Sequence, residues 1–215
     1  MIRIMEGVFK EGKKLFTKNL VRGYSVYGEK LVLRDNIEFR NWDPNHSKLA
    51  AGIIKGLNPN LKRNSVVLYL GAASGTTLSH ISDIVVDGFV FGVEFADRVM
   101  RELYLIAEQR HNVGVLLMDA NEPLNYVRFL SMVDLVYQDI AQKNQVDIFV
   151  KNMDLFLRKN GFGILCVKAR SIDVTKKPRV IFKSVRNELS KHYKIIDYKT
   201  LEPYQRDHAI FLVKK

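Results

Sequence analysis

Three short segments, spaced along the chain, carry side chains suited to holding a nucleoside. The first is Leu70-Gly71-Ala72-Ala73-Ser74-Gly75-Thr76-Thr77, between an apolar run and a helix-period segment. Glycine lacks a Cβ, so such a turn can bend tightly and lie against a ligand. It is not a P-loop, because the Gly-x-x-x-x-Gly-Lys-Ser/Thr pattern is absent and no lysine follows Gly75. Nor is it the dinucleotide fingerprint, which would need glycine where Ala73 and Thr76 stand. Gly71-x-x-x-Gly75 suits a ligand with a carboxylate and no phosphate, such as S-adenosylmethionine. The second segment ends in Glu94, 23 positions after Gly71, where an acid is placed to bind ribose hydroxyls. Phe95, next to it, can pack on an adenine face. The third ends in Asp119-Ala120, suited to an adenine amino group. Singly, such features serve as tight packing or helix caps. In this order, at the carboxyl ends of successive strands, they form a nucleoside-cofactor site, because ligands of open α/β sheets bind at that edge.

Four further polar residues can reach the same edge. Asp139 ends the run VDLVYQDI, and Lys168 ends FGILCVKA. His208 opens HAIFLVK, and Lys48 lies early in a helix leading back to the first parallel strand. Two lysines close together would lower one another's proton affinity, and a carboxylate such as Asp139 would hold and tune Lys168.

The elements that must position these groups change character partway along the chain. Over residues 1–42 the runs GVFK, KLFT, KLVLR and IEFRNW are separated by Gly12, Gly23, Gly28 and Asp35–Asn36, which predicts a small antiparallel β unit. Asp43–Pro44 has the pattern of a helix start, Asp as N-cap and Pro at the first helical position. Residues 43–215 then alternate. Strands are predicted at Val66–Leu70, Phe89–Glu94, Val113–Asp119, Val133–Ile140 and Phe162–Ala169. Helices are predicted near Thr77–Ser82, Ala96–Gln109, Glu122–Leu130, Lys143–Leu157 and Arg179–Lys191. Continuous apolar strands between amphipathic helices indicate a parallel sheet covered on both faces. Tyr193–Leu201 and His208–Lys214 are separated by six residues, too few for a parallel crossover, so the last strand is antiparallel to its predecessor. The fold class is α/β: a seven-stranded, mostly parallel sheet with an antiparallel last strand, as in Rossmann-like class I methyltransferases, preceded by the small β unit.

Composition narrows the function. With 47% hydrophobic residues among 215, the chain can bury a core and is not disordered. No apolar run has the roughly 18–20 residues that span a bilayer, and MIRIMEGVFKEGKKLF does not have the pattern of a signal peptide. A cytoplasmic protein without membrane contact is expected. The single cysteine, Cys166, excludes a disulfide framework and sits in an apolar run, as a buried small hydrophobe would. His80, His111 and His192 have no metal-ligand spacing, and no nucleophile elbow surrounds Ser190. Tyr24, Tyr27 and Phe39 fit strand packing or a protein interface better than base stacking. The net charge of +11 favours a polyanionic partner, yet no base-reading motif is present.

Compound motifs sharpen this. FRNWDP (Phe39–Pro44) with Ser47-Lys48-Leu49-Ala50-Ala51, VLYLGAASGTT, GVEF, MDAN, VYQDIAQ, VKARSID and Gln205-Arg206-Asp207-His208-Ala209 resemble the signature of the fibrillarin family over nearly the whole chain. His46 stands where many members have arginine, a difference bearing on local RNA or helix-cap contacts. The resemblance implies an RNA ribose 2′-O-methyltransferase, using S-adenosylmethionine, that modifies rRNA and tRNA as the catalytic subunit of a box C/D guide-RNA particle. Its implied partners are the guide RNA, the target RNA, a Nop-domain scaffold protein and, through the complex, a kink-turn-binding ribosomal-type protein. The family's catalytic tetrad falls on Lys48, Asp139, Lys168 and His208. Its cofactor contacts fall on Thr76, Thr77, Glu94, Phe95, Asp119, Ala120, Asp139, Ile140, Ala141 and Gln142, beside the loop residues Gly71, Ala73 and Gly75. Arg40, Arg170, Lys176, Lys177 and Arg179 lie near motifs at the same edge and are expected to meet RNA phosphates, giving the cofactor mouth a basic face. A free-standing RNA or protein methyltransferase, or a non-catalytic subunit holding RNA or cofactor, are the competing readings.

Overall fold

A computed structural model describes residues 1–215. Five strands form an N-terminal antiparallel sheet: β1 (Ile2–Met5), β2 (Val8–Glu11), β3 (Lys14–Lys18), β4 (Leu31–Arg34) and β5 (Ile37–Trp42), in the order β1-β2-β3-β5-β4. The strand IRIM was not anticipated: it has only four residues, of which only Met5 is even partly buried.

The remaining elements are α1 (Lys48–Ile54), β6 (Val66–Leu70), α2 (Thr76–Ile84), β7 (Phe89–Glu94), α3 (Asp97–Glu108), β8 (Val113–Leu117), β9 (Val133–Gln138), α4 (Gln145–Phe156), β10 (Leu157–Lys168), α5 (Ala169–Ile172), α6 (Pro178–His192), β11 (Lys194–Thr200) and β12 (His208–Lys214). Their strands form a seven-stranded sheet in the order β11-β12-β10-β9-β6-β7-β8. Neighbours from β10 to β8 are parallel, while β12 runs antiparallel to both β10 and β11. This is the predicted sheet. Alternate residues of each strand enter opposite layers. Tyr69, Tyr137, Cys166 and Ile210 pack with α1, α2 and the N-terminal residues Val8, Leu15 and Trp42. Leu70, Val136, Val167 and Phe211 pack with α4 and α6. The N-terminal sheet therefore shares a core with one face of the large one.

Two local expectations are corrected. The first helix does not begin at Asp43–Pro44: its N-cap is Ser47, whose side chain accepts from Ala50 N. Asp43 closes a turn instead, accepting from Asn45 N at 2.8 Å and pairing with His46. Glu122–Leu130 is not an α-helix but two 3₁₀ turns, Pro123–Asn125 and Val127–Phe129. Only Pro123 and Tyr126 of that stretch are buried, too few apolar contacts to support a longer helix.

Candidate active site

The loop after β6 is held in an unusual backbone path. Gly71, Ala73 and Gly75 all have positive φ (76°, 47° and 84°). A Cβ on Gly71 would lie 2.7 Å from the carbonyl oxygen of Asp139, and one on Gly75 would meet Leu103 and Ile106 below 3 Å. At Gly71 glycine is thus required by close approach to backbone as well as by φ, and at Gly75 by φ, since the side-chain tips there can shift. Gly71 N and Ala72 N both donate to Val93 O, at 2.9 and 3.2 Å.

Glu94 binds this loop to the next strand. Its carboxylate accepts from Ala73 N at 2.9 Å and from Phe95 N and Ala96 N at 3.0 Å each. It therefore caps the entry to α3, whose N-cap residue Ala96 has no capping side chain. Phe95 projects beside it, 63% exposed although aromatic. Asp119 accepts from Asn121 N and Nδ2 through one oxygen only, which leaves its other oxygen without a protein partner.

These residues line one cavity of about 250 Å³, formed by Gly71, Ala73, Glu94, Phe95, Asp119, Ala120, Asp139, Ile140, Ala141 and Gln142 together with Val93 and Met118. Every expected cofactor residue except three is on its wall. Gly75, Thr76 and Thr77 start α2 instead, and the Thr77 hydroxyl turns away to donate to Ser47 Oγ at 2.9 Å. No lysine or arginine lines the cavity, while three carboxylates do. That set of acceptors suits a ligand bearing hydroxyls, an aromatic base and positive charge, and disfavours one bearing phosphates. S-adenosylmethionine meets that description.

The tetrad residues do converge. Lys48 Nζ sits 2.8 and 2.9 Å from the two oxygens of Asp139, each side chain 21% exposed. Burial pulls the Lys48 ammonium toward neutrality, but the Asp139 carboxylate more than offsets this, and its pKa is raised. Two of our expectations change accordingly: Asp139 is held by Lys48 and not by Lys168, and Lys48 has gained, not lost, proton affinity. Lys168 and His208 are direct cross-strand partners on β10 and β12. Burial lowers the His208 pKa, and Lys48 and Lys168 push it the same way, against the opposing effects of the Arg206 carbonyl and Asp139. His208 Nδ1 is 2.6 Å from the Arg206 carbonyl oxygen, so the neutral ring carries its proton there and leaves Nε2 as an acceptor. Gln205 Nε2 donates to the carbonyls of Pro44 and Asn45, which ties the His208 loop to the approach to α1. Cys166 is buried beneath, its thiol 3.2 Å from Tyr137 Oη, and burial pushes its pKa up, as for an inert packing group.

Of the proposed phosphate contacts, Arg40 is a correction. Its side chain is 0% exposed and bonds Glu29 at 2.6 Å, Asp83 at 2.8 Å and Ser79 at 2.9 Å. It cannot meet RNA. Arg110 also reaches Asp83, at 2.7 Å, and His80 is stacked on Trp42 with hydrogen bonds to Thr17 and Tyr27. This buried network joins the N-terminal sheet to α2, and no single segment announces it. Arg170 and Lys176 are surface groups paired with Asp207 and Asp173, whereas Lys177 and Arg179 are exposed with no ion-pair partner.

A sequence model of the Fibrillarin family matches residues 2–215. The fibrillarin-like rRNA/tRNA 2′-O-methyltransferase of Methanothermobacter thermautotrophicus is 49% identical over 216 residues, covering 100% of this chain and 96% of that protein. A solved fibrillarin/Nop5p complex contains a chain that superimposes with a TM-score of 0.92 at 43% identity, covering 98% of each. Aeropyrum pernix fibrillarin, solved with natively bound S-adenosyl-L-methionine, superimposes with a TM-score of 0.87 at 39% identity, covering 99% of this chain and 100% of that one.

Proposed function

The chain belongs to the fibrillarin family, and from that premise we propose that it is an S-adenosylmethionine-dependent RNA ribose 2′-O-methyltransferase. In this reading it is the catalytic subunit of a box C/D guide-RNA particle acting on rRNA and tRNA. The observation that carries the proposal is the meeting of the Lys48–Asp139 ion pair with the Lys168–His208 cross-strand pair, beside a cavity lined by carboxylates.

S-adenosylmethionine, when bound, supplies an already activated methyl group. The chain must hold the ribose oxygen in line with it and stabilise charge on that oxygen. Glu94 and Asp119 would hold the ribose and base of the cofactor, with Phe95 against the adenine. Lys168, exposed at the end of β10, would contact the target 2′-oxygen and stabilise its alkoxide character as the hydroxyl proton passes to solvent and the oxygen takes the methyl group from the cofactor sulfur. Lys48, locked by Asp139, would hold a fixed positive charge beside it. His208 would position the ribose and its phosphate. Lys177 and Arg179, unpaired at the start of α6, would contribute sequence-blind phosphate contacts. Target choice would come from guide pairing, with a Nop-domain scaffold protein and a kink-turn-binding protein completing the particle.

The test is methyl transfer from labelled cofactor, first to RNA alone, then with guide RNA and the scaffold proteins, with the modified nucleotide mapped. Transfer that requires the guide and follows its pairing is expected. Equal transfer to RNA alone would make the chain a free-standing enzyme, and no transfer in the full particle would leave a binding subunit.

A further inference from the structure

Thr77 and Ser47 are 30 residues apart, yet their hydroxyls meet at 2.9 Å in a site where both residues are almost fully buried, 5% and 1% exposed. Thr77 stands in the first turn of α2, directly after the cofactor loop. Ser47 is the N-cap of α1, and the next residue is Lys48. Its Oγ accepts two hydrogen bonds, from Thr77 and from Ala50 N at 3.3 Å. The same loop also reaches the other half of the ion pair. Asp139 N donates to Leu70 O at 3.0 Å, and Gly71 packs so closely on the Asp139 carbonyl that no Cβ would fit. The segment Leu70–Thr77 is therefore fastened at one end to the backbone of Asp139 and at the other to the cap of the helix that carries Lys48.

We propose that Ser47, through the Thr77 hydroxyl, is a positioning residue that couples the cofactor loop to Lys48. This rests on the methyltransferase reading above. Lys48 holds Asp139 through a long, flexible stem, and that stem starts at the first residue of a seven-residue helix. A helix that short has little stability of its own, so its position is set by its buried face, Leu49 to Ile53, together with what its cap is fastened to. Fastening it to the loop that borders the cofactor cavity makes the position of the ammonium depend on the path of that loop. The cap bond alone would stabilise α1. The bond from Thr77 ties the start of α1, where Lys48 stands, to the loop.

The two roles separate by substitution. Glycine is a serviceable N-cap residue, whereas alanine is not. Ser47→Gly therefore preserves much of the helix start and removes the link, and Thr77→Val removes the link while leaving the cap intact. Thr77→Ser keeps the hydroxyl. Single-turnover methylation would be measured in the assembled particle, alongside cofactor affinity by calorimetry on the isolated chain. Wild-type activity there first establishes the parent reading; its absence would fail that reading and not this one. With wild type active, Ser47→Gly and Thr77→Val should each slow transfer about tenfold, as sub-ångström misplacement does. Their cofactor affinity should stay within about twofold of wild type, Thr77→Ser should recover the rate, and the double variant should be no slower than either single one. A wild-type rate in Ser47→Gly, or losses that multiply in the double variant, would overturn the coupling. So would a Thr77→Val defect confined to cofactor affinity, which would make Thr77 a cofactor contact.

Discussion

The molecule contains two clusters in which cations meet carboxylates, and they are built for opposite purposes. Beneath the N-terminal sheet, Arg40 and Arg110 share Asp83, and Arg40 also holds Glu29, all without solvent access. At the carboxyl edge of the large sheet, Lys48 holds Asp139 while Lys168 and His208 stand beside them, partly open. The first cluster uses the rigid guanidinium fork, whose several donors satisfy several partners at once. The second uses lysine, a single mobile point charge that leaves room for a substrate oxygen. The first cluster is closed to solvent, even though Arg110 Nε and Nη2 find no partner there, whereas the second stays partly open at a cavity mouth, where a substrate could reach it.

The largest expected effect falls on the closed cluster. Arg40→Ala leaves Glu29 buried without its cation and Asp83 with Arg110 as its only remaining cation, and should cost about 3–5 kcal/mol of unfolding free energy, read as a shift of the denaturation midpoint. Lys48→Ala, at the open cluster, should move that midpoint little. If the two variants were equally destabilised, the contrast would be broken.

Next in size, Lys168→Ala should lower methyl transfer at least about 10²-fold, the scale of losing one charge-stabilising group. Its denaturation midpoint and cofactor affinity should be preserved. Retained single-turnover methylation would remove Lys168 from the chemistry.

A third effect separates the clusters by pH. His80 is buried beside Arg40 and Arg110, and burial first, then those cations, hold its pKa well below the ordinary 6.5. Below pH 6.5 the unfolded chain binds a proton there that the folded chain refuses. Stability should therefore fall with falling pH, by about 1.4 kcal/mol per pH unit for one such group. His208 is lowered as well and adds a slope of the same sign. His80→Asn should flatten most of this slope and His208→Ala a smaller part. An unchanged slope in His80→Asn would mean that the network accepts the proton.

The smallest effect concerns the cavity rim. Phe95→Ala should weaken cofactor binding by about 1 kcal/mol, the scale of one aromatic stacking contact, measured by calorimetry. No change would mean that the exposed ring meets something other than the cofactor.

The sequence foretold the open cluster better than the closed one, and the reason is physical. Strand ends in a parallel sheet share an edge by topology, so Glu94, Asp119, Asp139 and Lys168 could be brought together once the apolar runs were placed. Arg40 could not be read this way. It lies in IEFRNW, where an arginine looks like a solvated strand residue, and its burial depends on Asp83, 43 positions later. Asp43–Pro44 misled for a related reason: the local cap pattern was sound, but Ser47 gains a partner in Thr77 that no local pattern contains. The resemblance places Thr77 among the cofactor contacts, and its hydroxyl is bonded to Ser47.

The placement of β12 has a consequence for how the enzyme comes into being. This strand is the latest in the sequence, yet it is wedged between β10 and β11 and not added at an edge. During synthesis, β10 and β11 emerge with no strand to join them, and the sheet stays open until His208–Lys214 inserts. The same insertion delivers His208 to the other three tetrad residues. If the four residues act as proposed, closure of the sheet and assembly of the site are a single event, because the strand that completes the sheet also carries His208 to its partner Lys168.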